Sequence, residues 1–445
     1  MRNRFLTDLL STIFERRVFG AVQPDDRPIE ALCELLLSTS AEISGIKTAR
    51  TILTAYSDLD NEAKQRFFHY MTEDLDLDAL EVQNAAQIYG ESPTREHLAQ
   101  LTHAAEPPRQ ELLRRLNQVS GATDRLVNMR TDLLKLAREN PNFARTDLDF
   151  KHLFYSWFNR GFLVLRRINW ETPANILEKI IEYEAVHTIN DWGDLKRRLQ
   201  PEDRRCFAFF HPSMPDEPLI FLEVALTNGV SGSIDEVLTE DRSVLDIEAT
   251  NTAVFYSISN CQAGLKGISF GNSLIKQVVE DLSAELPHLE KFITLSPLPG
   301  FNRWLTNERD NNNYKEAEVI LEAVGIEDEI QRKDALLNLS HSTRELASIY
   351  LVKAKRQDGS PQDPVARFHL GNGAELHDIH ALADLSPRGL SQSCGVMVNY
   401  LYDARNVEKN HEEFITNHQI ASSRRVQSIL PTKSRAEVKR KIVND

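Results

Sequence analysis

Ala253-Val254-Phe255-Tyr256-Ser257, then Lys266-Gly267-Ile268-Ser269-Phe270-Gly271-Asn272, then Phe292-Ile293-Thr294-Leu295-Ser296-Pro297 are the segments that decide the reading of this chain. The first and last have the aromatic and β-branched content of strands. Between them Leu274, Ile275, Val278, Val279 and Leu282 recur at helical spacing. Strand, loop, helix and strand in that order predict a parallel, right-handed crossover. Both strands then bring their carboxyl ends to one edge, beside the helix N-terminus, where a ligand and Ser296 share a crevice.

Upstream of this unit, from residue 1 to about 160, apolar residues recur at helical spacing, as in Leu6, Leu9, Leu10, Ile13 and in Leu126, Val127, Leu133, Leu134, Ala137. Pro28, Ser92-Pro93, Pro107-Pro108 and Asn140-Pro141 punctuate the run, which predicts an all-α module of six to eight helices. After Gly161 the pattern turns to strands interspersed with helices. Strands are expected at Phe162 to Ile168, Cys206 to Phe210, Leu219 to Thr227, the two named above, and Val365 to Leu370. Asn307 to Ile330 reads as an insertion or an exposed helical excursion, and Lys353 to Asp363 as a mobile loop. Ser386-Pro387 opens a late helix expected to run through Tyr400. The fold class is therefore α+β, with an all-helical domain over 1–157 and a mixed α/β domain over 158–445.

The chain's 445 residues exceed the usual size of one domain, and its 41% hydrophobic and 27% charged residues are those of a soluble globular protein. No apolar run is long enough to span a bilayer. A net charge of −14 argues against nucleic acid and anionic membranes as partners, while leaving room for an anionic small molecule held by a local positive potential. Cys33, Cys206, Cys261 and Cys394 are far apart without CxxC spacing, so neither a disulfide framework nor a zinc site is indicated. The N-terminal segment is interrupted by Asp8 and Glu15, which disfavours a transit peptide; a cytoplasmic location is expected.

Four groups of residues carry candidate chemistry. Lys266, Gly267, Ile268, Ser269, Phe270, Gly271 and Asn272 combine a cation, two glycines and a following helix, the ingredients of a phosphate seat. The segment lacks the GK[ST] of a Walker loop and the spacing of a dinucleotide fingerprint, and a tight turn before a core helix reads equally well. Ser296 precedes a proline and has no Gly-x-Ser-x-Gly elbow, so a turn serine capping the next helix competes with a catalytic one. His369, placed at the end of a short strand before Asn372-Gly373, faces a site edge or the core. Tyr400, at the end of the late helix, has a hydroxyl that reaches a cleft or packs inside. His377 and His380 lie three apart but no carboxylate or cysteine completes a metal set.

The Lys266 loop resembles the Arg/Gln-x-x-Gly-x-Gly pyrophosphate loop of the GNAT N-acetyltransferases, with Lys266 in the basic position, Gly271 in the last glycine position, and Ser269 departing from the middle glycine. More segments, taken in order, resemble the malonyl-CoA decarboxylase family: Glu184-Ala185-Val186-His187, Trp192-Gly193-Asp194-Leu195-Lys196-Arg197-Arg198, Arg204-Arg205-Cys206, Glu217-Pro218-Leu219, Phe255-Tyr256-Ser257-Ile258-Ser259, Leu295-Ser296-Pro297, Phe368-His369-Leu370, Asn372-Gly373-Ala374 and Ser393-Cys394-Gly395. The likeness is dense over residues 150 to 402 and weaker before them.

That resemblance implies a helical domain used for homo-oligomer contacts, as a dimer or tetramer, and a GNAT-like catalytic domain. It implies conversion of malonyl-CoA to acetyl-CoA and carbon dioxide without metal or organic cofactor. By the same resemblance residues 266 to 272 bind the CoA pyrophosphate and Ser296 and His369 form the catalytic pair, with Tyr400 a further candidate. Two alternatives stay open at this point: an acyl-CoA acetyltransferase using Tyr400 to manage an amine proton, and a catalytically silent CoA-sensing or assembly module.

Overall fold

Helical periodicity in the first third becomes eight α-helices among the described residues of the structure, a computed structural model that describes residues 25–39, 41–268 and 274–431. They are α1 (Ile29–Ser38), α2 (Glu42–Ser57), α3 (Asn61–Glu73), α4 (Ala79–Glu91), α5 (Arg95–Ala104), α6 (Pro108–Leu116), α7 (Ala122–Leu136) and α8 (Ala144–Trp157). Short polar side chains start several of them: Asp60 accepts from the Ala63 N–H, Asp78 from Leu80 and Glu81, and Thr94 from His97, while Pro108 opens α6. The Leu6 to Ile13 periodicity lies outside the described residues. Aromatic rings fill the core, with Phe67, Phe68, Phe143, Phe150 and Phe154 fully buried and Tyr56 edge-on to Phe67 at 5.3 Å.

By packing, the described chain forms two units. The helical one comprises residues 25–163 together with 211–217 and 262–268; the other comprises 164–210, 218–261 and 274–431.

Among the described residues there are eight strands, all in the second unit except the 211–217 end of the β2–β3 pair: β1 (Val164–Ile168), β2 (Arg204–His211), β3 (Met214–Thr227), β4 (Thr252–Asn260), β5 (Lys291–Thr294), β6 (Ser296–Pro297), β7 (Glu375–His380) and β8 (Met397–Leu401). Their order is β1-β2-β3-β4-β5-β8-β6, with β7 also on β8. β4 and β5 pair in parallel, Thr252 opposite Lys291 through Phe255 opposite Thr294, as the crossover predicts. The connecting helix, α9 (Leu274–Glu285), buries the expected Leu274, Ile275, Val278 and Leu282. β8 runs antiparallel to β5, β6 and β7. An N-terminal helical region followed by this mixed α/β unit is the α+β architecture expected.

Three expectations are corrected here. Val365 to Leu370 is helix, not strand: Asp363 accepts from the Val365 and Ala366 N–H groups, Pro364 occupies the first turn, and Pro364–Gly371 buries Ala366, His369 and Leu370 at helical spacing. The late helix stops at Ser393, because Cys394 (φ 51°) and Gly395 (φ 76°) both take left-handed backbone and turn the chain into β8. Tyr400 is thus a strand residue. Asn307 to Ile330 is helical as expected, but it buries Ala317, Ile320 and Ala323 on one face of Lys315–Val324, a packed element rather than an exposed one.

Candidate active site

The site begins where β4 and β5 part. Phe255 is the last β4 residue paired with β5, and the register of β3 against β4 slips there: Glu223 lies opposite Ser257 and Val224 opposite Phe255, leaving Tyr256 as an extra residue. Such a bulge bends and twists its strand, carrying β4 away from β5. The gap opens into a cavity of about 270 Å³ lined by Phe255, Tyr256, Ile258 and Asn260 from β4, Leu295, Ser296 and Pro297 after β5, Val186, and Pro364, Val365, Phe368 and His369. None of these lining residues is a lysine or arginine.

Ser296 and His369, 73 residues apart in sequence, meet at this wall, with Ser296 Oγ 3.2 Å from His369 Nε2. Both are buried. Ser296 does not cap the following helix, Phe301–Asp310, which begins without a side-chain cap. Its hydroxyl instead donates to Thr294 Oγ1 at 2.9 Å, an oxygen that also accepts the Tyr400 backbone N–H at 3.2 Å. With its proton so directed, the serine oxygen is left to accept from the imidazole.

The other imidazole nitrogen, Nδ1, is 2.8 Å from the hydroxyl of Tyr402. These contacts form one consistent chain: Tyr402 O–H donates to Nδ1, Nε2–H donates to Ser296, and Ser296 donates to Thr294. A neutral ring satisfies every link, and burial favours that form by pushing the His369 pKa down to about 3. The imidazolium resting state that an ordinary histidine near 6.5 suggests is therefore disfavoured here.

Tyr400 lies at the site in another manner. Its ring stacks on the His369 imidazole, centroids 4.6 Å apart and planes 23° off parallel, and its buried hydroxyl has no partner among the described residues. Tyr402 is not among the expected site residues, because the sequence reads as helix through Tyr400. A strand reading sends residues 400 and 402 to the same side, which is the signal that finds it.

The wall is braced from below. Glu184 accepts from Ser257 Oγ, from Ser259 Oγ, and from the Val186 and His187 backbone N–H groups, so it holds the segment that presents Val186. Arg198 donates to the carbonyls of His187 and Thr188 and to buried Glu223. On the other side, Ser393 Oγ accepts the Leu298 N–H, tying the turn after Ser296 to the end of the Pro387–Ser393 helix.

Of the proposed phosphate loop, Lys266, Gly267 and Ile268 are described and pack within the helical unit; Ser269, Phe270, Gly271 and Asn272 lie outside the described residues. Gly267 has φ 80°, a left-handed conformation suited to glycine. His377 and His380 sit on β7, where His380 Nε2 bonds Asn399 Oδ1 and His377 Nδ1 lies 3.5 Å from Glu375. All four cysteines are buried free thiols.

Comparison with known proteins meets this geometry. The family model described as the malonyl-CoA decarboxylase C-terminal domain matches residues 161–440, and that of the N-terminal domain matches residues 76–158. The chain is 36% identical over 351 residues to the mitochondrial malonyl-CoA decarboxylase of Anser anser anser, covering 73% of this chain and 69% of the relative. Among solved structures, malonyl-CoA decarboxylase from Rhodopseudomonas palustris is 48% identical with a TM-score of 0.84, covering 90% of this chain and 98% of its own. That from Agrobacterium vitis is 46% identical with a TM-score of 0.85, covering 91% and 100%. With the family model spanning both the β4–β5 gap and the paired Ser296 and His369, the chain belongs to the malonyl-CoA decarboxylase family of carboxy-lyases.

Proposed function

We propose that this enzyme cleaves malonyl-CoA in the cavity between β4 and β5, with Ser296 and His369 as the catalytic pair and residues 266 to 272 as the seat of the CoA pyrophosphate. The observation carrying the assignment is the hydrogen-bonded chain from Tyr402 through His369 and Ser296 to Thr294 at the cavity wall.

Cleavage of the bond between C2 and the carboxylate releases carbon dioxide and leaves an electron pair delocalised onto the thioester oxygen as an enolate. C2 then takes one proton, so each turnover consumes one from solvent. The departing carboxylate loses its charge in the transition state. A lysine or arginine gripping it would stabilise substrate more than transition state and slow the step. The lining residues offer the serine hydroxyl in place of such a cation, within a cavity of aromatic and aliphatic side chains that strengthens electrostatic interactions with the enolate.

Ser296 orients the carboxylate and His369 delivers the proton to C2. Because burial keeps the free ring neutral, the negative charge of bound substrate, then of the enolate, raises its proton affinity, so that the ring takes up one proton from solvent, passes one to C2 and ends neutral again. No metal or organic cofactor enters this scheme. The test is to incubate the chelator-treated protein with malonyl-CoA and follow acetyl-CoA and carbon dioxide together. Equal formation of both is expected, with loss of turnover in Ser296→Ala and His369→Asn; full turnover in His369→Asn removes the acid assignment.

Homo-oligomer contacts through the helical domain belong to the same reading. Helices α4 and α5 bury Ala85 alone between them, and expose Leu80 (71%), Ile88 (43%) and Leu98 (47%), an apolar surface suited to a second copy of the chain.

A further inference from the structure

The helical third of the chain grips the backbone of the Lys266 loop. Arg130, on α7, is fully buried and paired through Nε with Asp147 at 2.7 Å. Its two terminal nitrogens donate to main-chain carbonyls 134 and 136 residues away: Nη1 to Gly264 O at 2.5 Å and Nη2 to Lys266 O at 3.0 Å. Tyr155, on α8, adds its hydroxyl to Gly267 O at 2.8 Å. The turn at Ala263–Leu265 lies so close on α7 that a Cβ at Gly264 would stand 1.9 Å from Val127 O. Three carbonyls of four successive residues are thereby drawn toward helical side chains.

A planar trans peptide points its N–H opposite to its C=O. Holding the Lys266 carbonyl against Arg130 therefore aims the Gly267 N–H the other way. Gly267 and Lys266 are both exposed, and that N–H has no hydrogen-bond partner among the described residues. Lys151, bound to Asp147 at 2.7 Å, runs alongside, with its Cε 3.8 Å from where a Gly267 Cβ would be. An exposed, outward backbone donor with the Lys151 side chain beside it and Lys266 next to it in sequence is an arrangement that receives a phosphate oxygen.

We propose that Arg130 and Tyr155 are positioning residues for nucleotide recognition: from the helical domain they set the peptide orientation that presents Gly267 N–H to the CoA pyrophosphate. This rests on the reading of residues 266 to 272 as the pyrophosphate seat. It gives the helical domain a part in substrate binding beyond any oligomer contact.

The test compares malonyl-CoA with malonyl-pantetheine, which carries the reacting thioester but no pyrophosphate. Arg130→Lys keeps a charge against Asp147 but cannot bridge two carbonyls; Tyr155→Phe removes one exposed hydroxyl and leaves the core untouched. For malonyl-CoA, KM is expected to rise about tenfold in Arg130→Lys and about threefold in Tyr155→Phe with kcat nearly unchanged. For malonyl-pantetheine, kcat/KM should match wild type in both. Wild-type KM for malonyl-CoA in both variants, or equal losses on the two substrates, overturns the proposal. If Arg130→Lys fails to fold, Tyr155→Phe alone decides. The underlying loop reading has its own arm: wild-type enzyme that uses malonyl-pantetheine as well as malonyl-CoA, together with an unchanged KM in Lys266→Ala, removes the pyrophosphate seat itself and the role of Arg130 with it.

Discussion

Removing a single oxygen from Tyr402, as in Tyr402→Phe, should separate its role from that of Tyr400. Among the described residues the Tyr402 hydroxyl is the donor to His369 Nδ1, at 2.8 Å in a buried setting. Without it, the tautomer that offers Nε2–H to Ser296 leaves Nδ1 unsatisfied, at a cost of about 1–3 kcal/mol. If the reacting state needs that tautomer, the cost falls on the barrier, and kcat drops about 5- to 150-fold. The Tyr400 hydroxyl has no partner among the described residues, and its ring stacks on the imidazole with or without the oxygen. Tyr400→Phe should therefore stay within about twofold of wild type. The assay is steady-state acetyl-CoA formation from malonyl-CoA, with thermal unfolding of each variant to exclude collapse of the fold. A Tyr400→Phe variant slowed as much as Tyr402→Phe, or a Tyr402→Phe variant at wild-type kcat, refutes the tautomer argument.

Stability should weaken in mild acid through the same histidine. Its pKa falls from 6.5 in the unfolded chain to about 3 in the fold, so between those values the unfolded state binds more protons, and stability present at pH 7 is lost as pH drops. Urea titrations should lose about 2 kcal/mol from pH 7 to pH 5 that His369→Asn does not lose, and parallel pH curves for the two proteins contradict this. At the helical surface, a Leu80→Glu, Leu98→Glu double variant should reduce the molar mass measured by light scattering while leaving helical circular dichroism intact; unchanged mass excludes this face as the contact.

Periodicity alone marked the helical first third and the strand–loop–helix–strand unit, because Leu126, Val127 and Leu133, or Leu274, Ile275, Val278 and Leu282, record which face is buried. The placement of Ser296 after β5 followed from the same pattern. The Val365 to Leu370 segment misled because a short apolar run fits either period; its Asp363-Pro364 start, an N-cap followed by a first-turn proline, was the signal for helix. Tyr400 was named and Tyr402 missed for a related reason: the left-handed backbone at Cys394 that ends the helix is adopted by a residue type with no special preference for it.

What the local sequence determined, then, is the set of elements and the residue types able to carry the chemistry. Which of those residues meet was decided by tertiary structure. A bulge opposite Glu223 and Val224 parts β4 from β5, a helix carries His369 to Ser296, and an antiparallel strand brings Tyr402 to the far nitrogen of the ring. The physical reason is that burial and hydrogen-bond polarity depend on neighbours distant in the chain. The proton affinity of His369 is lowered by the packing around it, and no spacing of residues along the chain encodes that packing directly.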